Sequence, residues 1–187
     1  MEVQNYYIQR MRKLDRKFCK EQLYLLLIDL YGDIEREKKY EWCTSLYDTN
    51  DLRNIINNIS SVKHMEFVPI RRSFLPFDFV SEKQKIIIEY DERQHFTKQR
   101  YLALQGYSKE ICLHYDKKYW KELCMQINAK MNKKVDPLRD EKRALYDSIR
   151  DITAYKNGYT LFRIFHGQID FSKDNAKEEL NKLLINK

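Results

Sequence analysis

The chain has 187 residues, 43% hydrophobic and 13% aromatic, with a net charge of +7 and only 4 Gly and 3 Pro. That length supports one domain with a real core, and the composition excludes a disordered or loop-rich chain and a Gly-rich phosphate loop. The longest apolar run, Leu23 to Ile28, stops at Asp29, far short of the roughly 20 residues of a membrane span, and MEVQNYYIQRMRK has no signal-peptide core, so the expectation is an intracellular, cytoplasmic protein with no membrane partner.

In chain order, residues 5 to 31 predict a helix, because Leu14, Phe18, Leu23, Leu26, Leu27 and Leu30 keep helical spacing ahead of Gly32. Ile34 to Trp42 reads as a charged edge strand, Asp51 to Ile59 as a short helix capped by Thr49 or Asn50, and Met65 to Arg71 as a strand. Phe77 to Val80 and Lys85 to Asp91 predict an antiparallel hairpin across the polar turn Ser81–Gln84. Thr97 to about Met131 reads as a long helical region rich in Tyr and Lys, broken at Asp136-Pro137. Arg139 to Asn157 then predicts a helix closed by Gly158, Tyr159 to Phe165 a strand, and Asn175 with Glu178 a capping box for a last helix through Leu184. Strand, helix, strand implies a right-handed crossover and a parallel pair.

Cys19, Cys43, Cys112 and Cys124 have no zinc spacing and read as free thiols. The basic balance favours a polyanionic partner. The informative stretch is "LPFDFVSEKQKIIIEYDERQHF", residues 75 to 96, which threads acids through an isoleucine run. Alternation places Ile87, Glu89 and Asp91 on one face and Ile86, Ile88 and Tyr90 on the other. Across the hairpin, Asp78 and Glu89 are expected to converge on one side of the sheet. Two such carboxylates repel unless a cation lies between them. A hard divalent ion accepts this oxygen set and keeps several waters.

"PFDF", then "IIIEYDERQHF", then "DSIR…NGYTLFRI" resembles the PD-(D/E)XK nuclease core. Within it, the likeness is to the branch of very-short-patch mismatch-repair endonucleases and related phage, homing and restriction endonucleases. The resemblance spans about residues 18 to 166. It implies an α/β fold with a central mixed β-sheet flanked by helices and a helical insertion. The whole chain, 1–187, then forms a single nuclease domain: a helical N-terminal part (1–33), the core (34–96 and 139–187) and the insertion (about 97–138). It also implies a metal-dependent endodeoxyribonuclease of restriction or homing type that leaves 5′-phosphate. Asp78 and Glu89, with the Tyr90 carbonyl, match the ligands of Mg²⁺, with Mn²⁺ able to substitute. Asp91 shares the site, directly or through water. Gln94 and His95 match the branch's Gln-His pair, Asp147 its late aspartate, and Glu21 the glutamate of the first helix; Arg150 replaces a usual lysine. Glu92 stands where the branch has glycine, and the span from Phe96 to Asp147 is longer. DNA is the implied partner, and cutting both strands implies a homodimer.

Each residue also has an ordinary reading. Asp78 is also readable as a turn acid near Pro76, and Glu89 and Asp91 as solvent-facing acids on an edge strand. Asp147 is readable as a surface acid paired with Arg150, and Glu21 as a partner of Lys17 or Lys20. Arg71, Arg72 and Arg163 suit phosphate, though Arg163 lies in a strand and equally suits a core carboxylate. His64, His114 and His166 read as structural. The Tyr/Lys-rich insertion reads either as core or as a DNA-contacting surface. A silent nuclease-fold binding or assembly subunit, mismatch nicking and RNA cleavage stay open as alternatives.

Overall fold

The computed structural model of the chain describes residues 6, 9–11, 14–46, 50–61, 73–129 and 138–185. The elements run α1 (Arg16–Tyr31), β1 (Glu35–Lys38), α2 (Asn50–Ser60), β2 (Phe77–Ser81), β3 (Ile86–Asp91), one 3-10 turn (Arg93–His95), α3 (Lys98–Gln105), α4 (Lys117–Ile127), α5 (Arg139–Lys156), β4 (Thr160–Phe165) and α6 (Ala176–Ile185). The fold is α/β. Its four-stranded sheet has the order β1-β2-β3-β4, antiparallel except for the parallel pair β3–β4. The helical segment between β3 and β4 is the crossover that a parallel pair requires.

Alternation along the strands divides the core into two layers. Val80, Ile87, Leu161 and Phe165 pack with Ile55, Leu104, Leu123 and Ile149 on one face. Phe79, Ile88, Phe162 and Ile164 pack with Leu23, Leu27 and Leu180 on the other. β3 is therefore covered on both sides, which is why its isoleucines run without interruption. Burying each such side chain stabilises the fold by about 1.5–3 kcal/mol. Glu89 and Asp91 share the Ile87 face, beneath α5.

Local chemistry moves several expected boundaries. The helix expected over 5–31 is divided: residues 9–11 are helical, Leu14 and Asp15 are not, and α1 begins at Arg16. Asp15 fixes that start by accepting from Phe18 N–H at 2.9 Å, and Gly32 ends the helix at φ +80°. The edge strand shortens to Glu35–Lys38, leaving Tyr40 and Trp42 to stack at 4.4 Å between centroids and to cover Phe77 and Tyr159. The 97–131 helix is two helices, capped by Thr97 and Asp116. They are separated at Gly106, where a Cβ would meet the Ile55 backbone at 2.9 Å. The expected capping box does not form: the Asn175 amide donates to Glu179 at 3.0 Å, while Glu178 pairs with Lys182. The expected strand over 65–71, together with His64, Arg71 and Arg72, lies outside the described residues. All four cysteines are free thiols. No helix among the described residues is long and apolar enough to cross a membrane.

Candidate active site

The β2–β3 ladder pairs Phe79 with Ile88, Val80 with Ile87 and Ser81 with Ile86, so the next pair outward is Asp78 and Glu89. There the regular ladder ends and side chains take over from backbone groups. Asp78 N–H donates to Glu89 Oε1 at 3.1 Å, and Tyr90 N–H donates to Asp78 Oδ2 at 2.9 Å. Each carboxylate thus holds a backbone amide of the opposite strand, Glu89 that of Asp78 and Asp78 that of Tyr90. The carbonyls of Lys85 and Asp91 accept from β4, at Thr160 and His166, each at 2.9 Å. Tyr90 is out of phase with them, so its N–H and C=O turn towards the β2 side of the fork.

The two acids do not settle on one face of the sheet as expected. Asp78 Oδ1 accepts from Lys20 of α1 at 2.6 Å, while Glu89 Oε2 lies 3.7 Å from Arg150 of α5, on the opposite face. The cause is the end of the ladder: Phe77 turns in with Val80 and Ile87, and Asp78 turns out beside it. The pair meets edge-on at the fork. Glu89 is buried, and burial pushes its carboxyl up to about 8; the charge of Asp78 adds to the rise and that of Arg150 opposes it. Burial alone would lower the Lys20 ammonium, but Asp78 outweighs it and raises it.

On the α5 side, His95 Nδ1 lies 2.9 Å from Asp147 Oδ2 and 3.5 Å from Asp91 Oδ1. Burial works to lower the histidine; Asp147 and then Asp91 reverse this, and it stands above its ordinary value. Burial would raise the Asp147 carboxyl, yet His95 and Arg163 hold it well below the carboxylate range. Arg150 ties the halves together, reaching Asp147 Oδ1 at 3.4 Å and the Pro76 carbonyl at 2.8 Å as well as Glu89. A cleft of about 360 Å³ opens here, lined by His95, Arg139, Lys142, Arg143, Asp147 and Arg150.

Three residues named from the sequence are turned elsewhere. Asp91 is locked in the interior, accepting from Trp120 Nε1 at 2.8 Å and from Arg163 at 2.6 Å. It orients its neighbours, and its oxygens do not face the fork. Gln94 donates to Glu92 at 2.7 Å and lines a separate hollow with Arg16 and His166, because the 3-10 turn directs successive side chains apart. Glu21 pairs with Arg36 at 2.9 Å, 48% exposed, on the outer side of α1. Lys20 is the residue of that helix which reaches the acids. Its signal was present in the sequence: Lys20, Leu23 and Leu27 are spaced by three and four, so Lys20 shares the buried stripe.

Sequence reasoning also missed a buried ionic network. Asp151 accepts from Arg163 Nε and Arg100, each at 2.8 Å, and from the hydroxyls of Tyr107 and Tyr115 at 2.6 and 2.8 Å. Tyr107, Tyr115 and Trp120 of the insertion are buried and take the core reading, while Lys118 of the same segment is exposed. Arg163 takes its core reading, and His166 is structural, 2.6 Å from the Tyr90 hydroxyl.

Among the described residues, no group of three or more His, Cys, Asp or Glu side chains is arranged to hold a metal ion. The donors at the fork are two carboxylates and a main-chain oxygen. This is the hard, oxygen-only chemistry that Mg²⁺ accepts when waters complete the shell, and Lys20 already sets a cation against the same acids. No family model matches the chain, no curated protein matches it, and no solved structure matches it.

Proposed function

We propose that the chain is a metal-dependent endonuclease of the PD-(D/E)XK kind, hydrolysing DNA phosphodiester bonds. The observation that supports this best is the fork itself: where the β2–β3 ladder stops, Asp78 and Glu89 each accept from a backbone amide of the other strand, Asp78 from Tyr90 and Glu89 from Asp78. Asp78, Glu89 and the Tyr90 carbonyl are the residues that would hold Mg²⁺, or Mn²⁺ in its place. Bound there, the ion would polarise the phosphodiester and acidify a water.

The chain's own groups account for the protons. With Nδ1 committed to Asp147, Nε2 of His95 is the nitrogen open to exchange. A value raised above the ordinary histidine favours the protonated form, which suits donation to the leaving oxygen. Water adds to phosphorus and gives up a proton to solvent, the P–O3′ bond breaks with O3′ taking the His95 proton, and the products are a 5′-phosphate and a 3′-hydroxyl. Arg150, between Glu89 and Asp147, sets a positive charge where the transition state gains negative charge. A homodimer would bring two such centres to the two strands.

The test is plasmid cleavage with Mg²⁺ or EDTA, by the wild type and Asp78→Ala. Metal-dependent nicking lost in the variant, by at least about a thousandfold, is the expected result. Nicking that persists in Asp78→Ala, or wild-type protein inert on DNA with either metal, overturns the proposal. A single-stranded RNA arm separates the RNA-cleaving alternative.

One observation favours a second reading, a silent nuclease-fold subunit that binds nucleic acid. Lys20 and Arg150 already supply the fork with positive charge from within the chain. DNA affinity without cleavage identifies that case.

A further inference from the structure

Four basic side chains line the cleft beside His95, and Arg139, Arg143 and Arg150 lie along α5 at spacings of four and seven residues. That spacing puts them on one side of the helix. The sole acid of the lining, Asp147, is already engaged by His95 and Arg150. Among the described residues, neither Arg139 nor Arg143 forms an ion pair; Arg143 donates only to the Gln94 carbonyl, at 3.4 Å. Burial lowers the Arg143 guanidinium from its ordinary value; Asp147 opposes this, and the repulsion of Arg139 adds to it. Two cations drawn together in a concave surface, neither held in an ion pair, are relieved by an anion entering the cleft. The first turn of α5 adds the positive end of its dipole, while Asp140 and Glu141 of the same turn are buried.

Guanidinium pairs favour phosphate through forked hydrogen bonding. The cleft ends at His95, Asp147 and Arg150, and Arg150 touches Glu89. Arg143 lies two helical turns from Arg150, roughly 10 Å along the axis. An anion at Arg143 is therefore a neighbouring phosphate and not the one at the fork.

We propose that Arg139 and Arg143 form a subsite for a backbone phosphate of the nucleic-acid strand, flanking the cleavage centre. The subsite takes its substrate class from the nuclease reading, but its test needs no cleavage. Binding of a fluorescent 20-base-pair DNA duplex is measured in EDTA across a salt series, for the wild type, for Arg139→Gln with Arg143→Gln, and for a control. The control, Lys177→Gln with Lys182→Gln, removes the same charge from α6.

The expected result is that the arginine variant flattens the slope of log affinity against log salt by about two and weakens binding roughly tenfold at 0.1 M salt. The control keeps both values near those of the wild type. The single variant Arg139→Gln, outside the core, gives about half the slope change and keeps the test valid should Arg143→Gln unfold. Equal losses in the arginine variant and the control, an unchanged slope, or no DNA binding by the wild type each overturn the subsite. DNA cleavage with an unchanged slope removes the subsite and leaves the nuclease; a changed slope without cleavage does the reverse.

Discussion

Two groups of acids gather around β3, and they meet opposite fates. Inside, Asp91, Asp147 and Asp151 face Arg163 and Arg100, with Tyr107, Tyr115 and Trp120 supplying hydrogen bonds. Most of their oxygens have a donor near 2.6–2.9 Å. At the fork, Asp78 and Glu89 have backbone amides, one lysine and an arginine 3.7 Å away. The interior matches its charge and fixes the geometry. The fork leaves Glu89 so poorly compensated that burial raises it to about 8. Charge matching marks scaffold, and a buried acid left without a matching charge is the feature on which the proposed metal site rests.

The largest effect should come from breaking the matched group. Arg163→Met removes the cation bonded to Asp91 and Asp151 and to the Asp147 carbonyl. Stranding buried carboxylates in this way costs about 3–5 kcal/mol, read by chemical denaturation. The loss is expected with or without Mg²⁺. A loss below about 1 kcal/mol would mean that the network is ornamental, and the contrast with the fork would fail.

Glu89→Gln sharpens the other half. A carboxyl that titrates at about 8 folded and near 4.5 unfolded binds a proton on folding. Its stabilisation is complete below about 4.5 and fades as pH rises through about 8. Between pH 6 and 8 the wild type should therefore lose about 2 kcal/mol from this group. The glutamine variant should show a flatter profile over that window, and Mg²⁺ should rescue the wild type alone. A melting series in pH, with and without metal, decides it.

Asp147→Asn tests the join between the two groups. Asp147 is the largest influence raising His95, so the histidine should fall towards or below its ordinary value in the variant. A histidine raised by its partner stabilises the fold below its unfolded value, and the contribution disappears as pH climbs through the folded one. NMR titration of the His95 ring follows the shift. The alkaline limb of any cleavage profile, where a general acid loses its proton, should move in the same direction.

Much of the scaffold was legible because it rests on local rules. The hairpin, α5 and β4 follow from alternation, helical spacing and Gly158, and the Asp78–Glu89 pairing follows from the hairpin register. The partners that give each acid its role were not legible. Arg163 meets Asp91 across 72 residues and Arg100 meets Asp151 across 51, contacts that no local pattern encodes. The division of the 97–131 helix was hidden for the same reason, since Gly106 is required by the backbone of α2 and not by its own neighbours. The edge-on meeting at the fork depended on where the ladder stops, and strand periodicity carries no such information.

The smallest expected effect separates two adjacent positions of α1. Glu21 matches the nuclease resemblance but bonds Arg36 at the surface, whereas Lys20 reaches Asp78. Glu21→Ala should change stability by less than about 0.5 kcal/mol and leave Mg²⁺ affinity and cleavage unaltered. Lys20→Met removes a cation that competes for the same oxygen, and a competitor worth about 1 kcal/mol corresponds to roughly fivefold tighter Mg²⁺ binding. Calorimetric titration distinguishes the two variants. If Lys20→Met weakens Mg²⁺ binding instead, the lysine orients Asp78 for the ion and does not compete with it. If Glu21→Ala weakens it, α1 must shift when the ion binds, because only a rotation of that helix would bring residue 21 to the fork.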